Sequence, residues 1–480
     1  MKNIVFLLPR MIYIAVLFAN CHWDDIGEPD TEIKPGTATL PVTAHLLTNA
    51  QAQMLRADAI SGLYCQYFTR VQYTDLALYA YFNREWSDVY AGPLLDLETI
   101  IKLNTDVETR DRVLASGSNN NQLAAARILK VYYMAQLTDT YGDIPYSEAL
   151  KGNLAPGYDP QAEVYRSLLT ELKEAVEQFD NGPAPEGDVL WNGRIEAWQK
   201  FANSLRLILA LRISKADPSL AMAECNAALQ AEGGLIENPE DAVILFPDGL
   251  SNFVNPWPNV SGFDFYAISK TIVDIMEGSV PDPRLSCFGL PNDQGKVIGV
   301  PYGLTNDSVA AFTLQHPDWS YIFSDGWYGS TIPFFVLTPA HVYLARAEAA
   351  QRGWTGEDAE TLYRAGIRTS WEQWKVFDQN LFDTYMDRAD VSLAGGDALQ
   401  RIGTQRWIAY FPDGLQGWCE WRRTGFPALQ PTPWALNLSG QIPRRYIYPN
   451  SEQNLNRAAY EAAVARMGGD RDDVRMWWDK

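Results

Sequence analysis

The stretch that most restricts the fold runs from Leu337 to Trp374, where two helical periods follow one another across a short turn. Thr338 followed by Pro339 is a helix start, a capping hydroxyl and then a proline at the first helical position. Val342, Ala345 and Ala349 recur at helical spacing on one face. Gly353 punctuates, and Thr355 with Asp358 three residues on reads as the cap of a second helix. In that helix Ala359, Leu362, Tyr363, Gly366, Ile367, Ser370 and Trp371 share a small, apolar face that lets a neighbour approach closely. Two such helices form an antiparallel hairpin of the tetratricopeptide type. One hairpin cannot bury its own inner face, so further copies are required.

The copies can be read along the chain. Leu46, Leu47, Ala50 and Met54 lie on one side of a helix expected over Leu40–Ser61, and another is expected near Asn83–Asn104. The run NNQLAAARILKVYYMAQLT, residues 120–138, is apolar nearly all round and is therefore predicted to be buried. Asp159-Pro160 repeats the cap-and-proline signal, and Val164, Leu168, Leu172, Ala175, Val176 and Phe179 make an amphipathic face after it. Trp198, Phe201, Ala202, Leu205, Ile208, Leu209 and Ile213 mark a further helix, with Asp217-Pro218 opening its partner. The reading is a mainly all-α fold of about four hairpins, near residues 40–104, 120–180, 196–230 and 337–374, at unequal spacing. Residues 40–480 are expected to form a single domain.

The pattern breaks between residues 233 and 333, where prolines recur and at most two short helices are expected. A loop-rich portion of this length inside a folded domain has a functional reason. It holds Phe253, Trp257, Phe263, Phe265, Tyr266, Tyr302, Trp319, Tyr321, Trp327 and Tyr328. Residues 375–397 read as a second irregular insert, and Leu399–Trp421 as two helical pieces.

Charge narrows the partners. Lysine and arginine total 39 against 59 acidic residues, a formal net charge of −20. That excludes nucleic acid and anionic membrane surfaces, which would repel the chain. At the amino terminus, Lys2 and Arg10 bracket an apolar run that continues to Ala19, too short to span a membrane comfortably. It reads as a signal peptide over residues 1–20 ending at Cys21, in the manner of a lipoprotein signal. Lipidation of Cys21 would anchor the protein to a membrane; the other reading is an ordinary cleaved signal with a nearby cysteine. Residues 21–39 are acidic and aperiodic, a tether. Cys65, Cys225, Cys287 and Cys419 form no CxxC pair and are either buried thiols or partners in one or two disulfides.

Catalysis has little support. There is no G-x-S-x-G, no H-E-x-x-H and no dinucleotide glycine fingerprint. Gly289–Lys296 has five residues between its glycines and Val297 where a phosphate loop needs Ser or Thr. His341, inside a helix, reads as packing, and neither a metal site nor a cofactor is expected. Binding has more support. Sugar rings stack their C–H faces on Trp and Tyr while their hydroxyls seek amides, carboxylates and guanidiniums. The candidates are Trp257, Trp319, Tyr321, Trp327 and Tyr328, with Tyr73 and Tyr81 secondary. Trp418, Trp421, Arg422 and Arg423 are assigned instead to stacked Arg–Trp contacts in the core.

Several stretches carry a family likeness: QRWIAYFPDGLQGWCEWRRTGFPAL at 405–429, IPRRYIYPNSEQNLN at 442–456, MWWD at 476–479, ARILKVYYMAQLTDTYGDIPYSEAL at 126–150 and KFANSLRLILALRIS at 200–214. Together with the hairpin at 337–374 they resemble the SusD/RagB nutrient-binding outer-membrane lipoproteins, in the SusD-like subgroup of Bacteroidetes. The resemblance implies four tetratricopeptide-like helix pairs packed against an irregular ligand-binding portion. It also implies a cell-surface lipoprotein that captures an oligosaccharide, or a peptide, for a SusC-like TonB-dependent transporter. Asp24, Asp25 and Glu28 fit the acidic surface-export signal of such proteins. A surface glycosidase and a purely structural helical scaffold are the competing readings.

Overall fold

The helix pairs predicted from periodicity bury apolar faces against one another, and the last of them meets through a glycine. The computed structural model describes residues 40–249, 253–261 and 265–480; the leader, Cys21, the tether and Phe263 lie outside them. Val42–Lys480 folds as one compact unit, mainly helical. Its four pairs are Thr43–Ala52 with Leu95–Thr105, Asn119–Tyr141 with Gln161–Gln178, Ile195–Arg212 with Pro218–Leu229, and Pro339–Gln351 with Ala359–Gln373. In the last pair a Cβ on Gly366 would stand 2.6 Å from Leu344 Cγ, closer than any side chain tolerates. The absent side chain is what sets the spacing of these two helices.

Several element boundaries differ from expectation. The first helix stops at Ala52, and Asp58 caps a separate short helix, Ala59–Tyr64, by accepting from Ser61 N at 3.2 Å. Asp358, not Thr355, caps the Ala359–Gln373 helix, accepting from Thr361 N at 2.8 Å. Asp159 does not cap the helix after it. Its carboxylate accepts from Tyr146 N and Ser147 N, while Gln161 N is taken by Asp143 at 2.9 Å. Among its described residues the loop-rich portion holds four short α-helices rather than two: Trp257–Ser261, Lys270–Met276, Leu285–Phe288 and Asn306–Gln315. Ser269 and Thr305 cap two of them, a signal available in sequence but obscured by the surrounding prolines. The 375–397 insert likewise contains a helix, Gln379–Met386, capped by Asp378.

Two short antiparallel ribbons stitch the irregular portion to the helices. β1 (Phe68–Arg70) pairs with β3 (Tyr266–Ile268), and β2 (Val243–Leu245) with β4 (Phe334–Leu337).

The motifs in 405–429 and 476–479 build the interior. Arg423 is bidentate to Glu348, both contacts at 2.6 Å, and also reaches Glu420 at 2.6 Å. Arg406 holds Glu420 from the other side at 2.9 and 3.0 Å. These four groups, all buried, lock the Pro339–Gln351 helix to the Ala398–Ala409 and Gly414–Thr424 helices. The expected Arg–Trp stacking is present for Arg422, whose guanidinium lies 3.5 Å from the Trp418 ring centre, whereas Trp421 is covered by Arg444 at 4.2 Å. Arg423 departs from the expectation because two carboxylates compete for it more strongly than a ring does. His341 packs as expected: Nε2 meets Ala409 O at 3.0 Å and the ring stacks on Tyr410. Cys65, Cys225, Cys287 and Cys419 are free and buried.

Candidate functional site

The β1–β3 ribbon is where distant aromatic residues converge. Register pairs Arg70 with Tyr266, Thr69 with Ala267 and Phe68 with Ile268. Ala267 also bridges Tyr321, and Ile268 N donates to Ser320 O at 3.1 Å, so the Trp319–Tyr321 segment runs alongside as a third edge. Val71 N donates to Phe265 O at 2.9 Å, extending the pairing toward Tyr73.

Tyr73 is held in the left-handed region at φ 50°, a conformation costly for a non-glycine residue and common where a side chain is aimed for function. Its ring stands edge-on to Phe265 at 5.2 Å and is 66% exposed. Trp319 rests on the small cluster of Val71, Ala267, Val300 and Val309, with the partly exposed Tyr321 ring 4.4 Å away. Arg70 lies over the Phe265 and Tyr266 rings at 5.8 and 5.2 Å, and its buried Nε has no acceptor. The ribbon therefore gathers two aromatic groups, Tyr73 with Phe265 beside Arg70, and Tyr321 with Trp319. Arg70 and Phe265 were not among the candidates. A three-residue strand carries too little alternation to reveal which residues it brings together.

The other candidates lie elsewhere. Trp257, Trp327 and Tyr328 line a cavity of about 30 Å³, together with Phe323, Phe335 and Trp374. That volume holds water and not a sugar ring. Trp257 is 5% exposed, edge-packed on Phe68 and Phe323, and its turn is fixed by Asn255 Oδ1 accepting from Trp257 N at 2.9 Å. Its assignment as a stacking face is corrected: it supports the ribbon from beneath. Trp327 is half-buried against Trp374 at 4.7 Å, and Tyr328 beside it is exposed. Tyr81 stands apart, exposed, its hydroxyl donating to Asn450 at 2.8 Å.

The same small cavity is bordered by Arg56, Asp58 and Asp413. Burial pushes the Asp413 carboxyl up to about 6, with nearby Asp58 adding to the rise. Among the described residues no group of three or more His, Cys, Asp or Glu is arranged to hold a metal, and no helix is long and apolar enough to cross a membrane. Burial also raises the Cys225 and Cys419 thiols to about 12, far from reactive thiolates.

Comparison with known proteins assigns the fold to a class of outer-membrane-associated binding proteins. A family model described as SusD-like, starch-binding associating with outer membrane, matches residues 31–449. The chain belongs to this SusD-like family. A solved chitin-binding protein is 30% identical with a TM-score of 0.77, covering 91% of this chain and 99% of its own. A chitin-binding SusD homologue from Flavobacterium johnsoniae is 26% identical, TM-score 0.75, covering 92% and 97%. A SusD homologue from Parabacteroides distasonis, 23% identical with a TM-score of 0.79, covers 92% and 98% and shares the fold. No curated protein matches the sequence. Members of the family are binding proteins rather than enzymes.

Proposed function

We propose that the protein is a surface lipoprotein, anchored through Cys21, that captures an oligosaccharide and delivers it to a SusC-like TonB-dependent transporter in the outer membrane. The observation that carries the reading is the gathering of aromatic rings along the β1–β3 ribbon, in a chain of the SusD-like family. Tyr73, Trp319 and Tyr321 supply stacking surfaces, and the partly exposed Arg70 supplies a guanidinium. A flat neutral ligand with many hydroxyls matches both. The chitin-binding relatives make N-acetylglucosamine oligomers the first ligands to test.

The test is calorimetry of the mature protein with chitin oligomers, starch oligomers and peptides. We expect one of the glycan series to bind, and Trp319→Ala or Tyr321→Ala to weaken it about tenfold, the scale of one lost stacking contact. Unchanged affinity in both variants would remove the ribbon as the site. Binding of peptides alone would replace the glycan with the sister ligand class. For the anchor, a palmitate analogue fed to expressing cells should label the wild type and not Cys21→Ser.

A further inference from the structure

Three small cavities share one side chain. The cavity lined by Trp257, Trp327 and Tyr328, a second of about 70 Å³ lined by Trp86 and Tyr132, and a third of about 30 Å³ lined by Phe201 all have Asp413 in their walls. The first two also share Arg56, Asp58 and Phe334, and the last two share Tyr132, Gln136 and Val336. They are therefore neighbours, each roomy enough for water, and Asp413 stands where they meet.

Most charges around this junction have partners. Asp58, the cap of Ala59–Tyr64, holds Arg84 at 2.9 Å and accepts from the Tyr446 hydroxyl at 2.9 Å. Glu85 accepts from Asn83 at 3.0 Å. On the Asn119–Tyr141 and Ile195–Arg212 helices, Asp139 and Arg212 hold each other at 3.2 Å. Burial raises Cys65, Tyr67, Tyr132, Tyr133, Tyr141 and Tyr410, so none of these carries charge near neutral pH. Asp413 is the exception. It accepts from Gln416 N at 3.1 Å, and among the described residues no lysine or arginine forms an ion pair with it. Arg56 lines the first two cavities with Asp413, yet its Nη2 is placed on Asp88 at 2.6 Å. The side chains of that pair are 27% and 55% exposed, so water and salt screen it and it contributes little.

We propose that Arg56 is a proton-controlled latch, holding Asp88 at the surface while Asp413 is protonated and turning inward to Asp413 when that carboxyl ionises. The two ends of the swing are unequal. A charged carboxylate in a sheltered cavity attracts a guanidinium more strongly than an exposed one, whereas a protonated carboxyl offers it only a neutral acceptor. Both groups already act on one atom: burial raises the Tyr132 hydroxyl, Asp413 adds to the rise and Arg56 reduces it. With Arg56 outside, burial and then nearby Asp58 raise Asp413 to about 6, while Arg212 opposes the rise. The carboxyl is thus neutral in acid and charged at higher pH, and the exchange falls between mildly acidic and neutral conditions. Trp327 and Tyr328 line the cavity that the guanidinium would enter, so the latch makes the charge beside the loop leading into β4 depend on pH. None of the ribbon residues takes part.

The test reads Arg56 directly and Asp413 by titration, both in the mature protein. Crystal structures at about pH 4.5 and about pH 8 should place Arg56 on Asp88 in the first and within hydrogen-bond distance of Asp413 in the second. Carbon-13 NMR of labelled aspartate, assigned with Asp413→Asn, follows the Asp413 titration. Arg56→Gln should raise its proton affinity about tenfold, the scale of one lost ion pair, and Asp88→Asn should lower it about threefold. In the Arg56→Gln chain, Asp88→Asn should change it by less than about twofold, since Asp88 acts only through Arg56. Asp88 is exposed, so Asp88→Asn keeps the fold and gives a result even where Arg56→Gln does not. Arg56 fixed on Asp88 at both pH values, a titration indifferent to either variant, or an Asp88→Asn effect of equal size with and without Arg56 would each overturn the proposal.

Discussion

At the scale of single residues, the strongest commitments are buried charges. Burial alone would raise the Glu348 carboxyl, but the Arg423 and Arg406 guanidiniums outweigh it and hold the group well below the ordinary carboxylate range. A depressed acid contributes stability above its unfolded titration range and loses it as pH falls, so this network weakens in acid. Glu348→Gln should cost about 3–5 kcal/mol, since it leaves Arg423 and Arg406 to share the one carboxylate of Glu420 in a dry interior. A fall in the urea midpoint measures it, and a shift below about 1 kcal/mol would show the network to be dispensable. Asp413 has the opposite sign. Its carboxyl is raised from 3.8 to about 6, so it favours folding below the unfolded value and opposes it as pH climbs through that interval. Asn at 413 keeps the cap to Gln416 N, now at 3.1 Å, without the buried charge. We expect Asp413→Asn to gain about 1–2 kcal/mol at pH 7.5 and nothing at pH 3.5, read by thermal unfolding at each pH.

At the scale of elements, the close approach of Gly366 to Leu344 makes the Pro339–Gln351 and Ala359–Gln373 pair intolerant of bulk. Gly366→Val should destabilise by about 1–3 kcal/mol, and Leu344→Ala in the same chain should recover part of the loss. Simple additivity of the two losses would contradict the packing account. Glycan affinity at the ribbon should not change. These hairpins were legible in the sequence because most helix turns repeat the same demand for an apolar residue, because Asp217 carries a cap, and because residues 120–138 are apolar nearly all round. The ribbon was not. β1 and β3 are three residues each, their partners lie almost two hundred positions apart, and no local pattern marks Arg70 as the neighbour of Tyr266. The burial of Trp257 was hidden for a related reason: a tryptophan among prolines and asparagines looks exposed until Phe68 arrives from elsewhere in the chain to cover it. Tyr73, Trp319 and Tyr321 were found as residue types suited to sugars, while their gathering beside one ribbon could come only from the fold.

At the scale of the molecule, a formal charge of −20 surrounds a ligand face whose described cation is Arg70. Neutral oligosaccharides approach without penalty, whereas uronate-bearing ones meet repulsion. In about 20 mM salt the acidic glycans should bind more weakly than neutral ones of equal length, and the gap should narrow by about 500 mM as screening sets in. Calorimetry at the two salt concentrations checks this, and a gap insensitive to salt would place the discrimination in contacts and not in the field. The β1–β3 ladder has a further consequence for anyone exchanging ligand preference between relatives. One strand belongs to the excursion inside the first helix pair and the other to the long irregular portion, so neither segment is a transplantable cassette. A chimera that imports residues 253–333 alone arrives with half of a ladder, and its new partner strand must be imported with it.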